Sequence, residues 1–484
     1  MTSVLSASLL ALALSTTVAT LSQCSDPSQP RPQNPAPATS QDPVAPPRDR
    51  IHLLVSGSLS GRLEPCGCAS GQLGGLARRL QHIGERRDYD LLLEGGDLIE
   101  TATELDGLKL LAIRQLLVDM GKYDALGVGP RDLLLPRDQW SAFLAGAPLI
   151  ASDVVGKAED WPAQPFVEKT VRDVRVRIAS LLLELPEALR GEDSGLSLLS
   201  PADGWKRALD GSDAATRRIL FVHGDDLQIR KLLPQLTPRP DLVVSVDRGV
   251  VEPSPTPTLV DDVPVVSAGT RGRELLDIWL HRDGERSRIA CEVIPLAGSK
   301  TIPGGGGDPQ AKEWILEHRR FVQQDGVLAR MVRQQPTANG SSYVGSSMCK
   351  TCHPTAYEAY EKSKHAHAWQ TLVDAEKDPK RYGWPVTAYP DCVSCHVVGF
   401  GEQTGFVSAE DTPDLIGVGC ERCHGAGLEH VQTGGKKPLG ILGGITKSQL
   451  CTQCHDYEQS PTFLYGERWP KIEHGREPSQ QPPK

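Results

Sequence analysis

Four pentapeptides in the last third of the chain share one pattern: Cys349-Lys-Thr-Cys352-His353, Cys392-Val-Ser-Cys395-His396, Cys420-Glu-Arg-Cys423-His424 and Cys451-Thr-Gln-Cys454-His455. Two thiols three positions apart can each form a thioether with one vinyl group of a porphyrin, and the histidine that follows then lies under the iron. Zinc would account for the cysteine pairs but not for a histidine directly after each one. Disulfides need no histidine at all. The pattern predicts four covalently bound haem c groups, with His353, His396, His424 and His455 as proximal ligands.

Six-coordinate haem iron needs a second axial ligand. From Tyr343 onward four histidines lie outside the motifs, His365, His367, His430 and His474, so ligation by two histidines at every iron is permitted. The bland alternative for such a histidine is a surface residue or a propionate partner. Met348 abuts Cys349 and is badly placed to reach another iron, and without a methionine ligand low potentials are expected. On a helix His365 and His367 would point about 200° apart and serve two different haems.

The elements that must position these groups follow from composition and periodicity. The chain has 484 residues, 39% apolar and 23% charged, with 47 Gly and 38 Pro, enough for two or three domains. A net charge of -9 gives no electrostatic reason for a nucleic-acid partner. Residues 1–24 read as a signal peptide, which implies export and an extracytoplasmic, periplasmic setting. Cys24 follows Leu21-Ser22-Gln23 like the acylated cysteine of a lipoprotein box, although Gln23 stands where a small residue is usual, so an N-terminal membrane anchor is an alternative to plain cleavage. Residues 25–50 are a Pro-rich tether.

From 51 to 297 short β-like runs (Ile51–Val55, Leu91–Leu93, Ala125–Val128, Ile219–His223, Leu242–Val246, Val265–Ala268, Leu275–Leu280) alternate with helical patterns at Leu76–Arg87 and Leu105–Met120. This predicts an α/β layered domain with its chemistry on loops at strand ends. Residues 298–342 read as a loop and a polar amphipathic linking helix, Pro309–Arg333. The remainder, 343–484, is a small, mainly α domain in which haem supplies much of the core.

Tyr343–His474 resembles the tetrahaem cytochrome c-554 family. The likeness is carried by Val344-Gly345, His353-Pro354, Ser363-Lys364-His365-Ala366-His367, Val398-Gly399-Phe400 after the second motif, and Gly419–Gly425 around the third. It implies electron transfer through closely stacked haems in an extracytoplasmic compartment, with one haem five-coordinate in some members. Ile51–Ile294 resembles the metallophosphoesterase domain of the 5′-nucleotidase family, through Gly61–Pro65, Gly74–Arg79, Gly95-Gly96-Asp97 and Val266–Gly269.

That second resemblance implies a two-metal site, and its ligand set is mostly missing. Ser58-Leu59-Ser60 occupies the place of an Asp-x-His, Pro130-Arg131 that of an Asn-His, and Asp247-Arg248 that of a Gly-His-x-His. Only Asp97 and His223 survive, and Arg131 and Arg248 would place positive charge where metal should sit. Two-metal hydrolysis needs both cations clamped, so no catalytic residue is assigned and the domain is read as non-catalytic. Cys66-Gly-Cys68 offers a redox or metal pair, a partner for Cys291, or a purely structural feature.

The reading these features favour is an exported electron-relaying tetrahaem cytochrome. Its donor and acceptor are redox proteins, and the degenerate phosphoesterase-like domain serves docking or scaffolding. Two alternatives compete with it: a haem oxidoreductase acting on a small nitrogen or sulfur compound at an open haem, and a metal-dependent nucleotidase.

Overall fold

The computed structural model describes residues 50–474, apart from 66–71, 87, 138, 141–144, 157–160, 192–193, 248, 251, 299–305, 379–383, 440–444, 457–458 and 461. Cys24, Cys66, Cys68 and Arg248 therefore lie outside the described residues.

The N-terminal half is a sandwich of two six-stranded sheets. In the first, β1 (Ile51–Ser56), β2 (Leu91–Glu94), β3 (Ala125–Gly127) and β4 (Leu149–Ile150) run parallel. A long antiparallel hairpin, β13 (Glu274–Asp283) and β14 (Arg286–Pro295), continues it on the far side of β1. The second sheet has the order β11 (Thr258–Val260), β12 (Val263–Ser267), β10 (Leu242–Ser245), β9 (Arg217–Val222), β7 (Val174–Leu181) and β6 (Val167–Val171). A small ribbon pairs β5 (Val154–Gly156) with β8 (Leu196–Leu198).

Strand periodicity builds the layers. Ile51, Leu53 and Val55 point between the sheets, where they meet Ile219, Phe221 and Val244, while Leu54 points out to the helices. On that outer face lie α1 (Leu76–Glu85) and α2 (Glu104–Arg114). On the outer face of the second sheet lie α3 (Pro201–Ala208) and α4 (Asp226–Leu232), through Trp205, Ala208, Ile229 and Leu232. Both faces of each sheet are covered, which is why the central strands read as unbroken apolar runs. The pattern at 105–120 is α2, started by a Thr103/Asp106 capping box, followed by a π-helical turn at Gln115–Met120.

The linking segment forms α5 (Pro309–Gln324) and α6 (Val327–Met331). Helix α5 buries Ala311 and Ile315 against the sandwich and Val322 in a second cluster. That cluster joins Leu105 of α2 and Val327 of α6 to Leu372, Val393, Val397 and Phe406 from the C-terminal third.

The C-terminal third is a chain of short helices: α7 (Pro354–Glu361), α8 (Ala368–Lys377), α9 (Pro390–Val393), α10 (Cys420–His424), α11 (Leu428–Gln432), α12 (Lys447–Thr452) and α13 (Tyr465–Arg468). His365 and His367 lie not on a helix but in the turn between α7 and α8, so the turn sets their divergence. Among the described residues, no helix is long and apolar enough to cross a membrane.

Candidate haem-binding site

Each cysteine pair has the spacing of about one helical turn, which on a helix puts both sulfurs on one face with the next residue beside them. This geometry is plainest in α10, which is Cys420–His424 itself. The four motifs then come together in twos. Cys349 of the first lies beside Cys420 of the third, and Cys395 of the second beside Cys454 of the fourth. Arg422 of the third motif reaches Cys454 Sγ at 3.8 Å, linking the two couples.

Three motif histidines face a histidine from outside the motifs. His353 and His430 have ring centroids 6.0 Å apart and planes 23° apart. His365 and His455 are also 6.0 Å apart, with planes at 36°, and His424 and His474 are 5.9 Å apart at 47°. An imidazole–metal–imidazole sandwich needs about 6 Å between ring centres, from two metal–nitrogen bonds of about 2.0 Å and about 1.1 Å more on each side. The spacing is too wide for ring contact and right for an iron between the rings. His353/His430 and His424/His474 line one continuous cavity of about 670 Å³, shared with Cys349, Cys420 and Cys423.

The outer nitrogens are held as ligating histidines require. Nδ1 of His396 donates to the Ala368 carbonyl at 2.6 Å, and Nδ1 of His430 to the Lys437 carbonyl at 2.7 Å. Nδ1 of His455 meets Ser460 Oγ at 2.9 Å. In each case Nε2 is left for a metal. Burial pushes the imidazoles of His365, His396 and His455 below their ordinary pKa, favouring the neutral, ligand-competent form.

His396 differs from the other three. Among the described residues no second imidazole stacks opposite it, and His367 is exposed at the start of α8. The histidines outside the motifs thus distribute as three paired and one apart.

Several contributors were not singled out by the motifs. Glu421, buried inside the third one, accepts from the backbone N–H groups of Val344, Gly345 and Gly427 and ties the first motif's approach to the third. Its position between two cysteines was the available signal. Lys109 of α2 donates to Asp391, the residue before Cys392, at 2.8 Å. Arg271 donates to Asp456, the residue after His455, at 2.6 Å. Nothing local in the sequence marks these last two contacts.

At the carboxyl ends of the sandwich strands the residues expected from the two-metal pattern do gather. Ser58 and Ser60 donate their backbone N–H to Gly96 and Asp97 carbonyls, and Asp97 and His223 are buried within electrostatic reach of each other. The Arg131 guanidinium is bound to the Glu100 carbonyl and carboxylate, so its charge is committed there. Asp132 spends its carboxylate on the backbone N–H groups of Leu98, Ile99 and Gly129, as a clamp between two loops. Asp247 accepts from Gly249. No cluster of three or more His, Cys, Asp or Glu placed to hold a metal occurs among the described residues. Asp97 and His223 do not fit a two-metal site. Cys291 on β14 is a free thiol.

Paired thiols, histidines at iron spacing and a cavity between them define a c-type cytochrome, built onto a layered α/β sandwich. Residues 348–425 match the family described as cytochrome c554 and c-prime. The chain is 34% identical over 157 residues to cytochrome c-554 of Nitrosomonas europaea, covering 28% of this chain and 67% of that protein. Through its C-terminal third it belongs to the cytochrome c-554 family.

The chain is similar to a 5′-nucleotidase precursor from Thermus thermophilus (TM-score 0.44, 17% identity, 62% of this chain) and spans 63% of that chain's length. It is also similar to a calcineurin-like phosphoesterase from Bacillus subtilis (TM-score 0.42, 16% identity, covering 56% of this chain and 97% of that one).

Proposed function

We propose that this protein is an exported tetrahaem cytochrome that relays electrons between redox proteins outside the cytoplasm, with a non-hydrolytic sandwich as its scaffold. The observation that carries the reading is the set of three histidine pairs spaced for iron, each containing one motif histidine. In this reading haem c is attached at Cys349/Cys352, Cys392/Cys395, Cys420/Cys423 and Cys451/Cys454, and supplies reversible one-electron chemistry. His430, His365 and His474 complete the first, fourth and third irons. The cysteine contacts between first and third motifs, and between second and fourth, set the attachment edges side by side. Arg131, Asp132 and Asp247 at the sandwich strand ends spend their side chains on holding loops, which supports a scaffolding role.

A second reading has one specific observation in its favour. His396 has no imidazole opposite it among the described residues, so the second haem is the place where a small ligand would bind. Spectra of the holoprotein through a redox titration test both readings. Three low-spin haems and one high-spin haem that takes carbon monoxide when reduced are expected. Four low-spin haems would remove the open site and return His367 to the ligand set.

A further inference from the structure

The N-terminal half places a buried cation against the second haem-attachment segment. Lys109, 4% exposed, projects from α2 of the sandwich and donates to Asp391 Oδ2 at 2.8 Å, with Asp106 Oδ1 at 3.8 Å. Asp391 directly precedes Cys392. Burial opposes the charge, but Asp391, Tyr389 and Asp106 together hold the ammonium above its ordinary pKa, so it is permanently cationic. Around the same segment, Tyr389 contacts His318 of α5 at 3.4 Å, and the Arg319 guanidinium lies 4.2 Å from the Trp384 ring centre. Leu105 of α2 and Val322 of α5 belong to the same apolar cluster as Trp384 and Tyr389.

With Lys109 buried and the Asp391 side chain 33% exposed, the pair is a poor device for stability, because the cost of desolvating the ammonium offsets much of the attraction. A fixed charge beside a redox centre does something an apolar pair cannot. Ferric haem carries one more positive charge than ferrous, so a nearby cation favours the reduced state and a nearby anion the oxidised state, strongly where water is excluded.

We propose that Lys109 and Asp391 set the reduction potential of the haem attached at Cys392 and Cys395, making the sandwich an electrostatic part of the electron relay. This rests on the haem assignment made above and goes beyond it by giving the N-terminal half a redox role.

The test is a spectroscopic redox titration of full-length holoprotein carrying Lys109→Met, Lys109→Arg or Asp391→Asn, with haem content read by intact mass. In K109M the second haem is expected to become about tenfold harder to reduce at a fixed applied potential, about 59 mV more negative. D391N is expected to move the same haem the opposite way by a similar amount, and K109R to leave it near the parent value. The other three haems should titrate as in the parent. Opposite signs are the discriminating result, since loosened packing would push both variants alike. Shifts of the same sign, or none in D391N, overturn the proposal, and if K109M does not fold D391N and K109R still decide it. A parent protein without haem at Cys392/Cys395 would refute the haem assignment itself, which mass shows independently of any potential.

Discussion

The two halves of this molecule solve the problem of a core differently. The sandwich buries three apolar clusters made from its own strands and helices. Beyond residue 343 only twelve apolar side chains are buried among the described residues, and ten of them belong to the cluster shared with α2, α5 and α6. The segment carrying the second motif therefore folds against the sandwich, whereas the first and third motifs surround a cavity bounded by cysteines and histidines. The first half is held by polypeptide packing. The second is expected to depend on its prosthetic groups away from the junction.

The largest effect that would break this contrast is removal of haem. Protein made without haem attachment should lose amide protection around 346–367 and 420–474 and keep it in β1, β2, β9 and β10, with residues 390–398 intermediate. Uniform protection, or uniform loss, would erase the distinction between halves.

Next in size is Arg79→Met. Arg79 and Glu94 form an ion pair at 2.8 Å with both side chains fully buried, and Arg79 also reaches Ser56 Oγ. Leaving Glu94 alone in that environment should cost about 3–5 kcal/mol in urea unfolding of the sandwich. A loss below about 1 kcal/mol would mean that water reaches the pair.

Leu105→Ala removes a side chain from the shared cluster and should cost about 3 kcal/mol. Its signature is regional: hydrogen exchange should rise in α5 and in 390–398 together. A rise confined to one side would show that the cluster does not couple the halves.

The smallest effect concerns acidity. His318 is buried, and burial together with the Lys109 and Arg319 charges pushes its imidazole down to about 3. The unfolded chain binds a proton at about pH 6.5 that the folded chain refuses, so stability falls as pH drops below that value. Between pH 7 and pH 5 the junction should lose about 2 kcal/mol, and His318→Leu should flatten that slope. An unchanged slope in the variant would assign the acid sensitivity to other groups.

What could be read from the sequence was local. The four cysteine–histidine motifs need only five residues each, and β1, β2, β9 and β10 announce themselves as apolar runs because helices cover one face of each sheet and the partner sheet covers the other. The strands missed are either very short, like β4, β5, β8 and β11, or mixed in surface: β6 and β7 carry Glu, Lys and Arg, and β14 alternates exposed and half-buried residues at an edge. The histidine count gave the pool of distal ligands but not the partners. His365 follows the first motif in sequence yet faces His455 of the fourth, because the turn after α7 carries it there. Lys109 and Asp391 are 282 positions apart, and no periodicity links them.

The central claim is that four porphyrins are joined to this chain. Intact mass spectrometry of protein from a host competent in haem attachment addresses it directly. The expected mass is that of the processed polypeptide plus four haem groups, with tryptic peptides locating one at each Cys-x-x-Cys-His. The mass of the bare polypeptide, or haem missing from any of the four motif peptides, would contradict it.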